Sequence, residues 1–389
     1  MNACARLAAV GLERPDYGGH ELGAVLSACL NAVGAAQAVV GRDSAADRAL
    51  LGIDQASHIV VVMLDGMGQV QLEARRGHAP FLRRAVAGSL TAGFPTTTAT
   101  SLSLFGTGQA AGRTGMTGYT ARNPRTGTLA NLISWEGAYD AHEWQTEPSL
   151  LEQAELAGMR ITALGKPGFA GSGLTQAALR GGEFVGLRTL AERVDVALER
   201  ARHPGLTYLY WGEIDAAGHA HGWQSDQWVA ALEDADRELE RLARGLPAGT
   251  AMVATADHGV VDVIGASRWD VADSAALSEG VITVAGEPRA LHLYVADGAS
   301  DAVVERWSNT LGDHAAVMSR ADAIAAGLFG PVSDAVTSRI GEVIVAMADR
   351  AITVDSRTQS ARSLLLVGMH GSLTQQELRV PLLVAAGGA

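Results

Sequence analysis

His58-Ile59-Val60-Val61-Val62-Met63-Leu64-Asp65-Gly66-Met67-Gly68 is the stretch on which the fold turns. From Ile59 to Leu64 it is apolar without a break, and four of those residues are β-branched. It lacks the alternation of a half-exposed strand. Such a run predicts a strand buried on both faces, as in a parallel sheet covered by helices. It ends at Asp65-Gly66-Met67-Gly68, a carboxylate placed in a turn. Three further runs behave alike. Arg160 to Leu164 precedes Gly165, Leu206 to Trp211 precedes Gly212, and Thr250 to Thr255 precedes Ala256-Asp257-His258-Gly259. Helical patterns at Thr189 to Arg202 and Ser225 to Arg244 lie between them, the second with Ser225 as a capping residue. The alternation predicts an α/β fold. Polar residues then fall just past the C-terminal ends of the strands, where open α/β sheets hold ligands.

A long segment separates Asp257-His258-Gly259 from Gly368-Met369-His370-Gly371. It carries its own strand patterns (Val281 to Ala285, Ala290 to Val295) and helical patterns (Ala302 to Leu311, Arg320 to Gly327). An inserted cap subdomain is therefore expected over 263–362, with a core formed by 1–262 and 363–389. The chain returns to that core through Ser363 to Gly368 and closes with a strand at Val380 to Ala385.

The composition bounds the function. Over 389 residues, 48% are hydrophobic and 19% charged, so a large core is expected and global disorder is not. The formal charge of −12 argues against a nucleic-acid scaffold, yet not against a phosphate substrate, because bound cations invert the local field. The two cysteines, Cys4 and Cys29, form no disulfide framework and suit a reducing compartment. With no signal-like start and no membrane-length apolar run, a cytoplasmic protein without a membrane span is expected, with no number of subunits assigned.

Four clusters carry candidate chemistry: Asp65; Phe94-Pro95-Thr96-Thr97-Thr98-Ala99-Thr100-Ser101; Asp215-Ala216-Ala217-Gly218-His219; and Asp257-His258-Gly259 with the distant His370. Asp215 and His219 are four apart, which on a helix turns both side chains one way. A carboxylate and an imidazole facing one cation are standard zinc ligands. Asp257 and His258 end a buried strand, where two ionisable groups require partners. Three aspartates and three histidines suffice for two tetrahedral ions with an open position on each. Each cluster alone has a bland structural reading as a turn, a cap or a surface histidine; the set in this order does not.

At this point the chain resembles the alkaline phosphatase superfamily, and within it the type I phosphodiesterase/nucleotide pyrophosphatase family. The resemblance rests on Val61 to Gly66, Phe94 to Thr98, Asp215 to His219, Ala256 to Gly259 and Met369 to Gly371. It implies a three-layer α/β/α core with a mainly parallel sheet and an inserted smaller α+β cap. It also implies two Zn2+ ions, with Mn2+ as the alternative. One ion would be held by Asp215, His219 and His370, the other by Asp65, Asp257, His258 and Thr98. The family frame, Pro-Thr-x-Thr followed ten residues later by Gly108, selects Thr98 as the nucleophile that forms a phospho-threonine intermediate. The activity implied is cleavage of a phosphodiester or pyrophosphate bond in a small phosphate ester or nucleotide-like substrate.

Two positions depart from the family pattern. Ala99 stands where many nucleotide-cleaving relatives carry an aromatic, and Tyr119 stands where they carry an asparagine that contacts a phosphoryl oxygen. Phe169 and Trp135 are candidates for facing the substrate or for core packing, and Lys166 for contacting an anion or for solvation. A phosphomonoesterase or a phosphonoacetate hydrolase would use the same ligands, with Arg113 and Arg122 available to a dianion. A phosphoglycerate mutase and a non-catalytic metal- or phosphate-binding protein complete the alternatives.

Overall fold

In the computed structural model, which describes residues 2–388, a seven-stranded sheet organises the chain. Its order is Val86–Thr91, Arg379–Ala386, Thr250–Thr255, His58–Leu64, Gly205–Trp211, Ile161–Gly165, Glu183–Gly186. The expected central strand takes the middle place, and all seven of its residues are buried. It runs parallel to both neighbours, with Val61 opposite Tyr208 on one side and Val253 on the other. Arg379–Ala386 runs against the other strands, antiparallel to both of its neighbours, so the sheet is mainly parallel.

The covering helices follow local signals. Ser225 caps Asp226–Gly245 by accepting from the Trp228 amide, and Trp228, Leu232, Ala235, Leu239 and Leu242 form its buried stripe. Thr189 and Glu192 close a reciprocal capping box on Leu190–Arg200. Among the described residues, no helix is long and apolar enough to cross a membrane.

The segment after Asp257 carries a four-stranded antiparallel sheet, ordered Val281–Glu287, Ala290–Val295, Val343–Met347, Ala315–Ser319. Alternation divides it between two cores. Leu291, Leu293 and Val295 pack with Trp307 and Val303 of the helix Ser300–Leu311. Ala290, Ile344, Ala346, Ala316 and Met318 join the main core. A second lobe is absent from the sequence reading. The short strands Thr120–Arg122 and Leu129–Asn131 pair with each other, and Ala121, Ala130 and Leu132 pack with Trp144 and Ala99. Three-residue strands are too brief to show a period. This lobe is stitched to the antiparallel sheet, since Thr120 Oγ1 both donates to the Gly286 carbonyl and accepts from its amide, each at 2.9 Å.

Arg289, in the hairpin between Val281–Glu287 and Ala290–Val295, is fully buried against Glu377. The pair is bidentate, Nε to Oε1 at 2.8 Å and Nη2 to Oε2 at 2.7 Å, and Glu377 also accepts from the Ser372 amide. Removing one partner strands a buried charge. Glu377→Gln is expected to cost about 3–5 kcal/mol in urea unfolding, whereas the double variant Arg289→Met/Glu377→Met recovers most of that loss.

Candidate active site

Five strand-end segments converge at the C-terminal edge of the sheet. Asp65 follows His58–Leu64 directly, and Asp257 and His258 follow Thr250–Thr255. Asp215 and His219 lie on the helix Glu213–His221, after Gly205–Trp211. His370 follows the two-residue strand Gly368–Met369, and Thr98 is the first residue of the helix Thr98–Thr107.

The seven side chains expected to act together form one cluster. Thr98 Oγ1 is 3.2 Å from His258 Nε2. The same nitrogen is 3.5 Å from Asp65 Oδ1 and 3.5 Å from Asp257 Oδ2. His219 Nε2 is 3.3 Å from Asp215 Oδ2 and 3.3 Å from His370 Nε2. The His258 and His370 rings stack at 3.6 Å between centroids and join the two halves. Among the described residues, two triads have ligand atoms within 4.8 Å of one another: Asp215, His219 and His370, and Asp65, Asp215 and His258. Asp215 belongs to both.

Each imidazole has its Nδ1 against a backbone carbonyl: His219 to Gly368 at 2.7 Å, His258 to Gly259 at 3.1 Å and His370 to Thr96 at 2.8 Å. An Nδ1–H donated to a carbonyl leaves Nε2 as a lone pair, and all three Nε2 atoms point into the cluster. The carboxylates complement them. Asp65 Oδ1, Asp215 Oδ1 and Asp257 Oδ2 are buried without a hydrogen-bond partner. Burial, with Asp257 and Asp215 close by, pushes the Asp65 carboxyl well above its usual range. Burial and the neighbouring His258 and His219 push His370 well below the usual histidine range. Imidazole lone pairs and orphaned carboxylate oxygens that repel one another are what divalent cations neutralise, so the residues present fit a metal.

The threonine run is sorted by its surroundings. Thr96 Oγ1 donates to the Ser372 carbonyl at 2.8 Å and accepts from the Gly371 amide at 3.1 Å. Thr100 Oγ1 donates to the Met116 carbonyl at 2.7 Å. Thr97 and Ser101 are buried. Thr98 alone of the five is partly exposed, and it begins a ten-residue helix whose first amides are free to meet an anion.

Two cavities flank this centre. The first, about 380 Å3, runs from Thr98 to Phe169 and is walled by Leu102, Leu174, Phe184 and Tyr210. The second, about 610 Å3, lies between the four-stranded antiparallel sheet and the loop around His370, with Tyr119 and Glu287 on one side and His219 and His370 on the other. Phe169 is 37% exposed and meets Tyr210 edge-on at 5.7 Å. Lys166 Nζ is instead paired with Glu213 at 3.0 Å. Trp135 packs against Trp144 and donates to the Tyr139 carbonyl. Arg113 pairs with Glu147, and Arg122 lies over the Tyr294 ring, so each has a partner other than the cluster.

Against known proteins, the sequence model described as "Type I phosphodiesterase / nucleotide pyrophosphatase" matches residues 59–373. The chain belongs to that family. Its fold agrees with this membership. Murine ectonucleotide pyrophosphatase/phosphodiesterase 5 superposes with a TM-score of 0.67 at 18% identity, over 84% of this chain and 87% of that one. Phosphonoacetate hydrolase from Sinorhizobium meliloti 1021 superposes with a TM-score of 0.63 at 20% identity, over 84% and 89%. These are alkaline phosphatase superfamily proteins, and their likeness establishes the fold. A phosphopentomutase from Chelativorans sp. (strain BNC1) is 33% identical over 115 residues, 29% of this chain and only 27% of that protein's length.

Sequence reasoning missed Tyr210, which donates its hydroxyl to Asp65 Oδ2. The signal was a tyrosine inside a buried strand, whose hydroxyl must find a partner. It also missed Glu287, which accepts from the Tyr119 amide at 3.2 Å and whose carboxyl burial pushes up to about 8. Tyr210→Phe frees Asp65 to move and is expected to weaken metal binding about tenfold, read by competition with a chromogenic chelator.

Proposed function

We propose that this protein is a zinc-dependent phosphodiesterase that cleaves a diester or pyrophosphate bond through a covalent intermediate on Thr98. The observation that carries the reading is the approach of Thr98 Oγ1 to His258 Nε2 at 3.2 Å, inside a cluster of imidazole lone pairs and unpartnered carboxylate oxygens. Asp215, His219 and His370 would hold one Zn2+, and Asp65, Asp257, His258 and Thr98 the other, with Asp215 close enough to serve both. When bound, the ions lower the pKa of a coordinated hydroxyl and neutralise charge on phosphoryl and leaving oxygens.

The chain's own groups do the rest. Thr98 Oγ1 forms a bond to phosphorus as the bond to one alcohol breaks, and the alcohol departs with a proton. Water then cleaves the phospho-threonine, restoring the hydroxyl and releasing the phosphate monoester. The helix that begins at Thr98 points free amides toward the phosphoryl oxygens. A cytoplasmic setting belongs to this reading and rests on the unpaired thiols of Cys4 and Cys29.

Charge favours a diester over a monoester or phosphonoacetate. No lysine or arginine stands among the described residues lining either cavity. The extra negative charge of those alternatives would lack a side-chain partner. The test compares bis(p-nitrophenyl) phosphate with p-nitrophenyl phosphate. The expected kcat/KM is at least about tenfold higher for the diester, one such step being about 1.4 kcal/mol of transition-state stabilisation. A preference for the monoester overturns the reading.

A further inference from the structure

The larger cavity has a chemistry that the reaction above does not use. It opens on His219 and His370, and its about 610 Å3 suits a small organic group. Thr97, Asn131, Glu136, Glu287, Gln359 and Ser360 line it with hydroxyls, amides and carboxyls. Glu287 is its built element. The residue is only 7% exposed, Oε2 accepts from the Tyr119 amide, the Thr97 hydroxyl lies beside the carboxyl, and Oε1 has no well-aligned hydrogen-bond partner of its own. It sits against the ligand loop because Gly371 has no side chain there; a Cβ at Gly371 would lie 2.5 Å from Glu287 Cγ. The antiparallel sheet thus delivers one unsatisfied carboxyl oxygen beside the residue that follows His370.

We propose that this cavity binds an uncharged, hydroxyl-rich substituent of the phosphodiester, a sugar or polyol, with Glu287 hydrogen-bonding its hydroxyls. The inference rests on the phosphodiesterase reading and names the substrate class for it. A hydroxyl both donates and accepts, so it satisfies Glu287 Oε1 and the surrounding amides and hydroxyls together. An anionic substituent finds no arginine or lysine among the described lining residues. An ammonium group calls for a cage of aromatic faces and a full counter-charge. Tyr119 is the one phenylalanine, tyrosine or tryptophan in the described lining, Glu136 is exposed, and burial favours the protonated form of Glu287 at neutral pH.

The test uses the full-length, zinc-loaded protein and four diesters: phenyl phosphodiesters of glycerol, glucose, choline and glycolate. Phosphorus-31 NMR reads all products, whichever ester bond breaks. The glycerol and glucose diesters are expected to exceed both others in kcat/KM by at least about tenfold, the weight of one satisfied buried hydrogen bond. Glu287→Leu should reduce that advantage about tenfold, and Glu287→Gln, which keeps hydrogen-bonding capacity, should preserve it. A merely structural role would lower all four diesters together and leave their ratios unchanged, which overturns the inference. A choline diester as best substrate, or a glycolate diester equal to the polyols, overturns it as well. If Glu287→Leu does not fold, Tyr119→Ala on the same wall should still lower the polyol advantage severalfold, and an unchanged ratio counts against the proposal. Failure of the wild type on bis(p-nitrophenyl) phosphate and on all four diesters sinks the phosphodiesterase reading itself; activity without polyol preference sinks only this inference.

Discussion

Thr98→Ala is expected to lower diester turnover by at least about a thousandfold, because no second hydroxyl stands in its place. Among its neighbours, Thr96 is committed to Ser372 and Gly371 and Thr100 to Met116, and Thr97 and Ser101 are buried. Thr98→Ser keeps the oxygen and loses only a methyl, so about a tenth or more of the activity should remain. The six proposed aspartate and histidine ligands are untouched in both variants, and zinc content should stay close to that of the wild type. Rapid quenching of the wild type with a phosphorus-labelled diester should trap label on the protein, and Thr98→Ala should trap none. Label retained in Thr98→Ala, or activity within tenfold of the wild type, would show that another group attacks phosphorus.

Metal removal should cost stability as well as activity. In the metal-free fold, Asp65 faces Asp257 and Asp215 in a buried site, and its carboxyl is raised well above its usual range. The folded state then holds a proton that the unfolded chain has already released. With the folded pKa above the unfolded one, stability is greatest below the ordinary carboxyl pKa and falls as pH rises toward the folded value. Cations that bind the three carboxylates remove that liability and add RT ln(1 + [L]/Kd), about 4 kcal/mol at a thousandfold excess over Kd. The gap in Tm between zinc-loaded and chelated protein should therefore widen as pH rises above the ordinary carboxyl range, where the raised carboxyl departs from its usual state. Equal melting of the two forms across that range would mean that the cluster does not bind the ion.

Much of the fold was legible along the chain because parallel strands carry a strong local signature. The four apolar runs between 58 and 255 are all strands of the central sheet, since a strand covered on both faces has no polar side to blur its pattern. The edge strand Glu183–Gly186 is half-exposed and short, and its sequence has no such run. The lobe at 120–131 was hidden for a related reason, because its strands have three residues each. Lys166 shows the limit for single side chains. Its position near a strand end suggested an anion contact, yet Glu213 reaches it first.

The sequence by itself determined the α/β class, the strand ends that carry Asp65, Asp215, Asp257 and His258, and the family frame around Thr98. Those are properties of short segments, written in periodicity and in the chemistry of adjacent residues. Only the tertiary structure decided that Asp215 lies within reach of both halves of the cluster, that Tyr210 steadies Asp65, and that Glu287 arrives beside Gly371 from a strand of the antiparallel sheet. Each of these depends on close approach between segments far apart in the chain. Distance across a packed core leaves no trace in local composition.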